Sequence, residues 1–239
     1  MKKILSFLLS FFILVACKKD VNLSFSEVNE IYNDNAIVEI NIPKASGNKT
    51  ISNSINSTIE KHIATALNFG EDDSAVLSFS EAISNFEKEF HHFKNEYDES
   101  TLVFEATFDG EVIYQSAGII CVAITGYTNT GGAHGNLDIT LYNFNADSGK
   151  LYSNDELIID KKGFIQLVKT HFLNEIDSDS EELSDYFFGD DFHLPANIGF
   201  NDEGVLILYN TYEIASYAQG ITEFTISFSE VNPFIKNIR

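Results

Sequence analysis

Thr101-Leu102-Val103-Phe104-Glu105-Ala106-Thr107-Phe108, then Asp109-Gly110, then the long run from Glu111 to Tyr127, is where the periodicity of the chain changes. Upstream, Ile51, Ile55, Ile59, Ile63 and Leu67 recur every fourth residue. That spacing puts five aliphatics on one stripe of a helix, which Gly70 closes. Phe79, Ile83, Phe86, Phe90, Phe93 and Tyr97, alternately four and three apart, mark a second helix whose aromatic stripe reads as core packing. From Thr101 the pattern is extended, and it predicts two strands in a hairpin with Asp109-Gly110 as the turn.

Outward from this point the same logic continues in both directions. Ala36 to Ile42 reads as a strand stopped by Pro43. Leu137 to Asn145 is a further strand, and Asp147-Ser148-Gly149-Lys150 turns the chain into Leu151. Phe164, Leu167, Val168, His171 and Phe172 give a third helix reaching about Ile176. A negative stretch follows. Ile198 to Phe200, the turn Asn201 to Gly204 and Val205 to Asn210 predict another hairpin, and Glu223 to Phe228 the closing strand before a short helix. Helices set apart from runs of strands indicate an α+β fold, with mainly antiparallel sheets of hairpin-connected strands and amphipathic helices packed on one side.

At the N-terminus, Met1-Lys2-Lys3 precedes an apolar stretch from Ile4 to Ala16, too short for the ~20 residues of a membrane-spanning helix. Residues 1–16 read as a signal peptide. Leu14-Val15-Ala16-Cys17 resembles a bacterial lipobox, which implies acylation of Cys17 and a mature chain starting there. Residues 17–30 are polar and mixed, as suits a tether. Lys18-Lys19-Asp20 is compatible with outer-membrane sorting, so the expected location is the bacterial cell envelope, lipid-anchored at the outer membrane.

The chain of 239 residues carries 15 Lys+Arg against 36 Asp+Glu, a net charge of −21. Nucleic acid is excluded as a partner, because phosphate backbones are bound by basic clusters that this chain lacks. From Thr170 to Ile235 there is no Lys or Arg at all, against thirteen Asp and Glu. Cys121, within the apolar Ile119 to Ala123, reads as a buried small hydrophobe, and with Cys17 acylated no internal disulfide can form.

Thr130-Gly131-Gly132-Ala133-His134-Gly135-Asn136 resembles the Gly-Gly-Ala-His signature of the PdaC/RsiV-like extracytoplasmic domain pair, paired domains of unknown function that occur in lysozyme-sensing anti-sigma factors, peptidoglycan deacetylases and bacterial lipoproteins. Ile40-Asn41-Ile42-Pro43 with the Asn-rich Asn53 to Ile59 is similar to the start of the first half. Asn143-Phe144-Asn145, Gly204-Val205 and the segment from Tyr212-Glu213 through Tyr217 to Gly220 are similar to the second. Family members carry Pro where this chain has Ser216, and Asn129-Thr130 lengthens the approach to Gly131. The resemblance divides the chain into a first half at 31–128 and a second at 129–239. It implies the exported binding or sensing module alone, without the deacetylase catalytic domain or the anti-sigma helical region.

The residues themselves select no catalytic machinery. Gly-x-Ser-x-Gly is absent, and Ser46-Gly47-Asn48-Lys49 is an isolated Ser-x-x-Lys. None of the six histidines forms a pair four apart on a helix, and Asp177 to Glu181 fails as a calcium loop, with Glu182 and Phe188 where Gly and Glu are required. No metal, cofactor or catalytic residue is therefore expected. His134 is read as a structural hydrogen-bonding residue of the Gly-rich loop.

These readings lead to a lipid-anchored envelope protein that is not an enzyme, a binding or sensing module for a basic protein such as lysozyme, or for peptidoglycan. The alternatives are an envelope hydrolase acting on glycan or peptidoglycan, and a purely structural lipoprotein. Cys17→Ala is expected to abolish both incorporation of labelled fatty acid and partitioning with membranes, because two or three acyl chains anchor stably where none would. Equal labelling of wild type and variant would refute acylation at Cys17.

Overall fold

The computed structural model describes residues 23–68, 78–178 and 183–238. The signal peptide, Cys17, the beginning of the tether, Gly70 and residues 179–182 of the acidic stretch lie outside the described residues. Strands β1 (Leu23–Tyr32), β2 (Ile37–Gly47), β3 (Glu105–Gln115), β4 (Ile119–Asn129) and β5 (Asn136–Asn145) form one sheet in that order. All neighbours are antiparallel except β2 and β3, which run parallel. A parallel pair needs a crossover connection, here supplied by helices α1 (Lys49–Ala66) and α2 (Phe79–Glu96).

Both helices begin as their sequences dictate. The Asn48 side chain accepts from the amides of Thr50 and Ile51 at 3.0 and 3.3 Å, and Glu81 accepts from the Ser78 amide at 2.8 Å. Ile51, Ile55, Ile59 and Ile63 are all buried, each contributing about 1.5 to 3 kcal/mol of hydrophobic stabilisation. They pack with Phe86, Phe90 and the inner residues of β2 and β3 in a first core.

Beyond β5 come α3 (Asn154–Leu157), α4 (Lys161–Ser178) and a three-stranded antiparallel sheet of β6 (Asn197–Phe200), β7 (Gly204–Tyr209) and β8 (Thr222–Ser227), closed by α5 (Phe228–Val231). Phe164, Val168, Phe172 and Ile176 of α4 fill a second core with the inner residues of β7 and β8. The fold is α+β, as the pattern of periods required. The two cores meet at β4. Ile120, Val122 and Ile124 belong to the first, and Ile119 and Cys121 to the second, because side chains alternate between the two faces of a strand.

Three boundaries differ from the sequence expectation. Asp109-Gly110 is not a turn but lies inside β3, opposite Thr125 and Ile124, and the chain reverses instead at Ser116-Ala117-Gly118. A Cβ on Gly110 would approach Pro43 Cδ to 2.7 Å and Ile124 Cδ1 to 2.8 Å, so the glycine serves close packing rather than chain reversal. Pro43 does not end its strand. β3 pairs with β2 only as far as Asn41, so β2 runs on to Gly47 with β1 alone beside it, and an edge position tolerates the missing amide. The tether does not extend to Glu30, because β1 occupies Leu23–Tyr32 and lays Leu23, Phe25 and Tyr32 against the first core.

The outer edge of β5 is closed by backbone at one end, where Lys150 to Tyr152 pair with Asn143 and Asn145, and by side chains along the rest. Asn210 accepts from the Ile139 amide at 2.9 Å and donates to the Ile139 carbonyl at 2.8 Å. Asn197 accepts from the Leu141 amide at 2.9 Å, and Asn143 donates to the Ile198 carbonyl at 2.6 Å. Backbone amides left bare at a sheet edge invite other chains, and Asn210 and Asn197 occupy those of Ile139 and Leu141. Asn210→Ala is expected to cost about 1 to 3 kcal/mol, the penalty for orphaning a partly buried amide and carbonyl. Urea unfolding measures this, with faster hydrogen exchange at Ile139 as the local sign.

Candidate functional site: a histidine between two tyrosines

The Gly-rich loop leaves β4 at Asn129, whose side chain accepts from the Gly131 amide at 3.2 Å. Gly132 and Ala133 are exposed, and Asn136 opens β5 opposite Thr128. Gly135 is buried beneath the ring of Tyr127, so close that any Cβ there would collide with it. That contact folds the loop back on the sheet and leaves the His134 ring standing at the surface.

His134 Nδ1 lies 2.8 Å from the Gly135 carbonyl oxygen. A carbonyl only accepts, so in the neutral ring Nδ1 carries the proton and Nε2 accepts from the Tyr212 hydroxyl at 3.1 Å. The ring also stacks on Tyr217, with centroids 3.9 Å apart and planes at 20°. Tyr212 and Tyr217 are 53% and 40% exposed, so the cluster keeps a large aromatic face in solvent. Among the described residues, no three His, Cys, Asp or Glu side chains gather closely enough to hold a metal ion.

The two tyrosines are set by the loop that follows β7. Tyr212 has φ 66°, a left-handed conformation costing about 1 to 2 kcal/mol for a residue with a Cβ. Glu213 holds it there, because its carboxylate accepts from the amides of Asn210 at 2.9 Å and Ala196 at 2.7 Å. The Ile214 carbonyl accepts from the Phe187 amide at 2.5 Å. Tyr217 begins a short turn to Gln219, whose side chain accepts from the Ser216 amide at 3.0 Å, and Gly220 ends it at φ 76°.

The residues singled out from the sequence thus fall into two roles. His134, Tyr212 and Tyr217 come together, although the first lies 78 residues from the second. Glu213 and Gly220 are framework. His134 makes a hydrogen bond within the Gly-rich loop, to the carbonyl of the buried Gly135, while its own ring stands exposed. Asn129 and Gln219 lie in the quoted segments without a role assigned from sequence, yet each stands in a readable pattern: an Asn two before a Gly amide, and Ser216-x-x-Gln219 as a capping box. Cys121 is buried as expected, and burial pushes its thiol up to about 12, against a weak bond from the Phe200 amide.

A family model described as "Deacetylase PdaC" matches residues 27–137, and one described as "Protein of unknown function (DUF3298)" matches residues 145–229. The chain is a PdaC–DUF3298 domain pair. His134 falls within the PdaC match, and Tyr212 and Tyr217 within the DUF3298 match. Their contact is therefore one between the two domains of the pair.

The crystal structure of a DUF3298 family member from Bacteroides fragilis superposes on the pair with a TM-score of 0.65 at 17% identity, covering 92% of this chain and 95% of that one. A DUF3298 family protein from Pseudomonas aeruginosa gives 0.62 at 16% identity, with 91% and 95% covered. Identities this low establish a shared fold. No curated protein matches the chain.

Since His134 is exposed and its contacts are a local carbonyl and two surface rings, His134→Ala is expected to cost less than about 1 kcal/mol, the usual range for a surface substitution and a weak stack. Urea unfolding checks this. A loss beyond 2 kcal/mol would show that the ring carries the loop's fold.

Proposed function

We propose that this domain pair is a lipid-anchored protein of the bacterial cell envelope, held at the outer membrane by acyl chains on Cys17, that binds its ligand without transforming it. The ligand is a basic protein of the lysozyme type, and the His134–Tyr212–Tyr217 cluster is the recognition surface. The observation that carries this is the convergence of the two family motifs, one from each domain, on a single exposed group of rings. Tyrosine is enriched where interfaces concentrate their energy, because a rigid ring contributes much contact area at little entropic cost.

Two further features support binding over catalysis. Both nitrogens of His134 are engaged, so its ring offers no free lone pair for proton transfer while these bonds hold. The segment that carries the tyrosines, Thr170 to Ile235, has no Lys or Arg against thirteen Asp and Glu, a one-signed charge that speeds encounter with a basic partner.

In a binding titration at 0.15 M salt, lysozyme is expected to bind the purified protein, and Tyr217→Ala to weaken it at least tenfold, the scale of an interface hot spot. Rising salt should slow association more than it hastens dissociation. Loss of binding at that ionic strength, equal binding of an unrelated basic protein of similar size, or no effect of Tyr217→Ala would refute the proposal. So would turnover of peptidoglycan by the purified protein.

A further inference from the structure

We propose that the groove between α1 and β5 is a second binding site, for a small organic carboxylate, with Lys61 as counter-charge and His62 as an oriented N–H donor. It is walled by α1 of the PdaC domain together with Tyr142 of β5 and Leu151 of the DUF3298 match, and it does not depend on the cluster around His134. The groove has a volume of about 610 Å³, and although the chain has 36 Asp+Glu, no carboxylate lines it. Its one charged wall residue is Lys61, which makes no ion pair among the described residues. Glu60, next to it in sequence, lines a different cavity on the other flank of α1.

His62 is half-buried and its Nδ1 lies 3.0 Å from the Tyr142 hydroxyl. Its ring meets Tyr142 and Phe108 edge-on, which fixes its plane. Burial, and then the charge of Asp138, push Tyr142 up to about 12, so its hydroxyl stays protonated. With that proton directed at Nδ1, neutral His62 carries its own hydrogen on Nε2. Burial lowers the His62 pKa, against the opposing pull of Asp138 on β5, which keeps the ring a neutral donor at pH 7.

Three hydroxyl side chains, Ser57, Thr58 and Thr65, complete the polar lining. The hydroxyls of Ser57 and Thr58 donate to the carbonyls of Asn53 and Ser54 at 2.6 and 2.8 Å, leaving only their lone pairs for a ligand. Leu151 adds an apolar wall. An ammonium and an N–H donor suit a carboxylate, the hydroxyl oxygens suit a neighbouring ligand hydroxyl, and Leu151 suits a short carbon body. Asp138 acts on His62 and Tyr142 through its charge without lining the groove, and carboxylates beyond about 8 Å are screened at 0.15 M salt.

Isothermal titration of the purified protein with sodium L-lactate, acetate, glucose and phosphate at constant ionic strength tests the assignment. Lactate is expected to bind saturably with a Kd on the order of 1 mM, as befits so small a ligand, acetate more weakly, and glucose not at all. Lys61→Gln should weaken lactate at least tenfold, and Ser57→Trp, which places a ring over the groove from an exposed helix position, should abolish it. Both variants should keep the wild-type melting temperature. Absence of saturable lactate binding, wild-type affinity in Lys61→Gln, or tighter binding of glucose or phosphate would overturn the proposal.

Discussion

Strand β4 is buried on both faces, and the two domains exist as one body because of it. Its run Ile119-Ile120-Cys121-Val122 has no polar member, and alternation sends Ile120 and Val122 towards α1 and α2 while Ile119 and Cys121 enter the core of α4 and the second sheet. A polar side chain at any of these positions would lose its hydration without a partner. The cores are thus fused through a shared wall rather than joined by a linker. The same wall encloses Cys121, whose thiol is fully buried and pushed up to about 12 by that burial.

The shared wall brings the second sheet to the edge of the first, but side chains complete the junction. Asn197 and Asn210 extend the hydrogen-bond ladder of β5 sideways where no further strand follows. The consequence for function is positional. Asn210 immediately precedes the loop that carries Tyr212, so the residue that seals the sheet edge also anchors the start of the loop that reaches His134. Glu213 then converts the same loop into a rigid bracket by binding two backbone amides at once.

Strain and exposure coincide at this bracket. Phe187, Phe188 and Tyr212 are the non-glycine residues with positive φ among those described, and the amide of Phe187 is tied to the carbonyl of Ile214. Such conformations persist only where surrounding bonds over-determine them. Phe187 turns inward and fills the second core, so its strain is offset by burial. Tyr212 gains no burial in exchange. It gains a ring held beside His134 in solvent.

The sequence by itself determined the α+β class, the two long helices and most strands, because each depends on a local period: four-residue spacing from Ile51 to Leu67, aromatic three–four spacing from Phe79 to Tyr97, alternation from Leu137 to Asn145. It also marked the Gly131 to Asn136 and Tyr212 to Gly220 segments as important through family resemblance. Tertiary structure decided what those periods cannot encode. Asp109-Gly110 has turn chemistry, yet packing against Pro43 and Ile124 holds it in mid-strand. The polar residues before Glu30 look like tether, yet pairing with β2 makes them an edge strand. His134 and Tyr217 lie 83 positions apart, and no local pattern states that they stack. Long-range contacts depend on how two cores share β4 and how two asparagines seal β5, and those are properties of the assembled sheet rather than of any window of sequence.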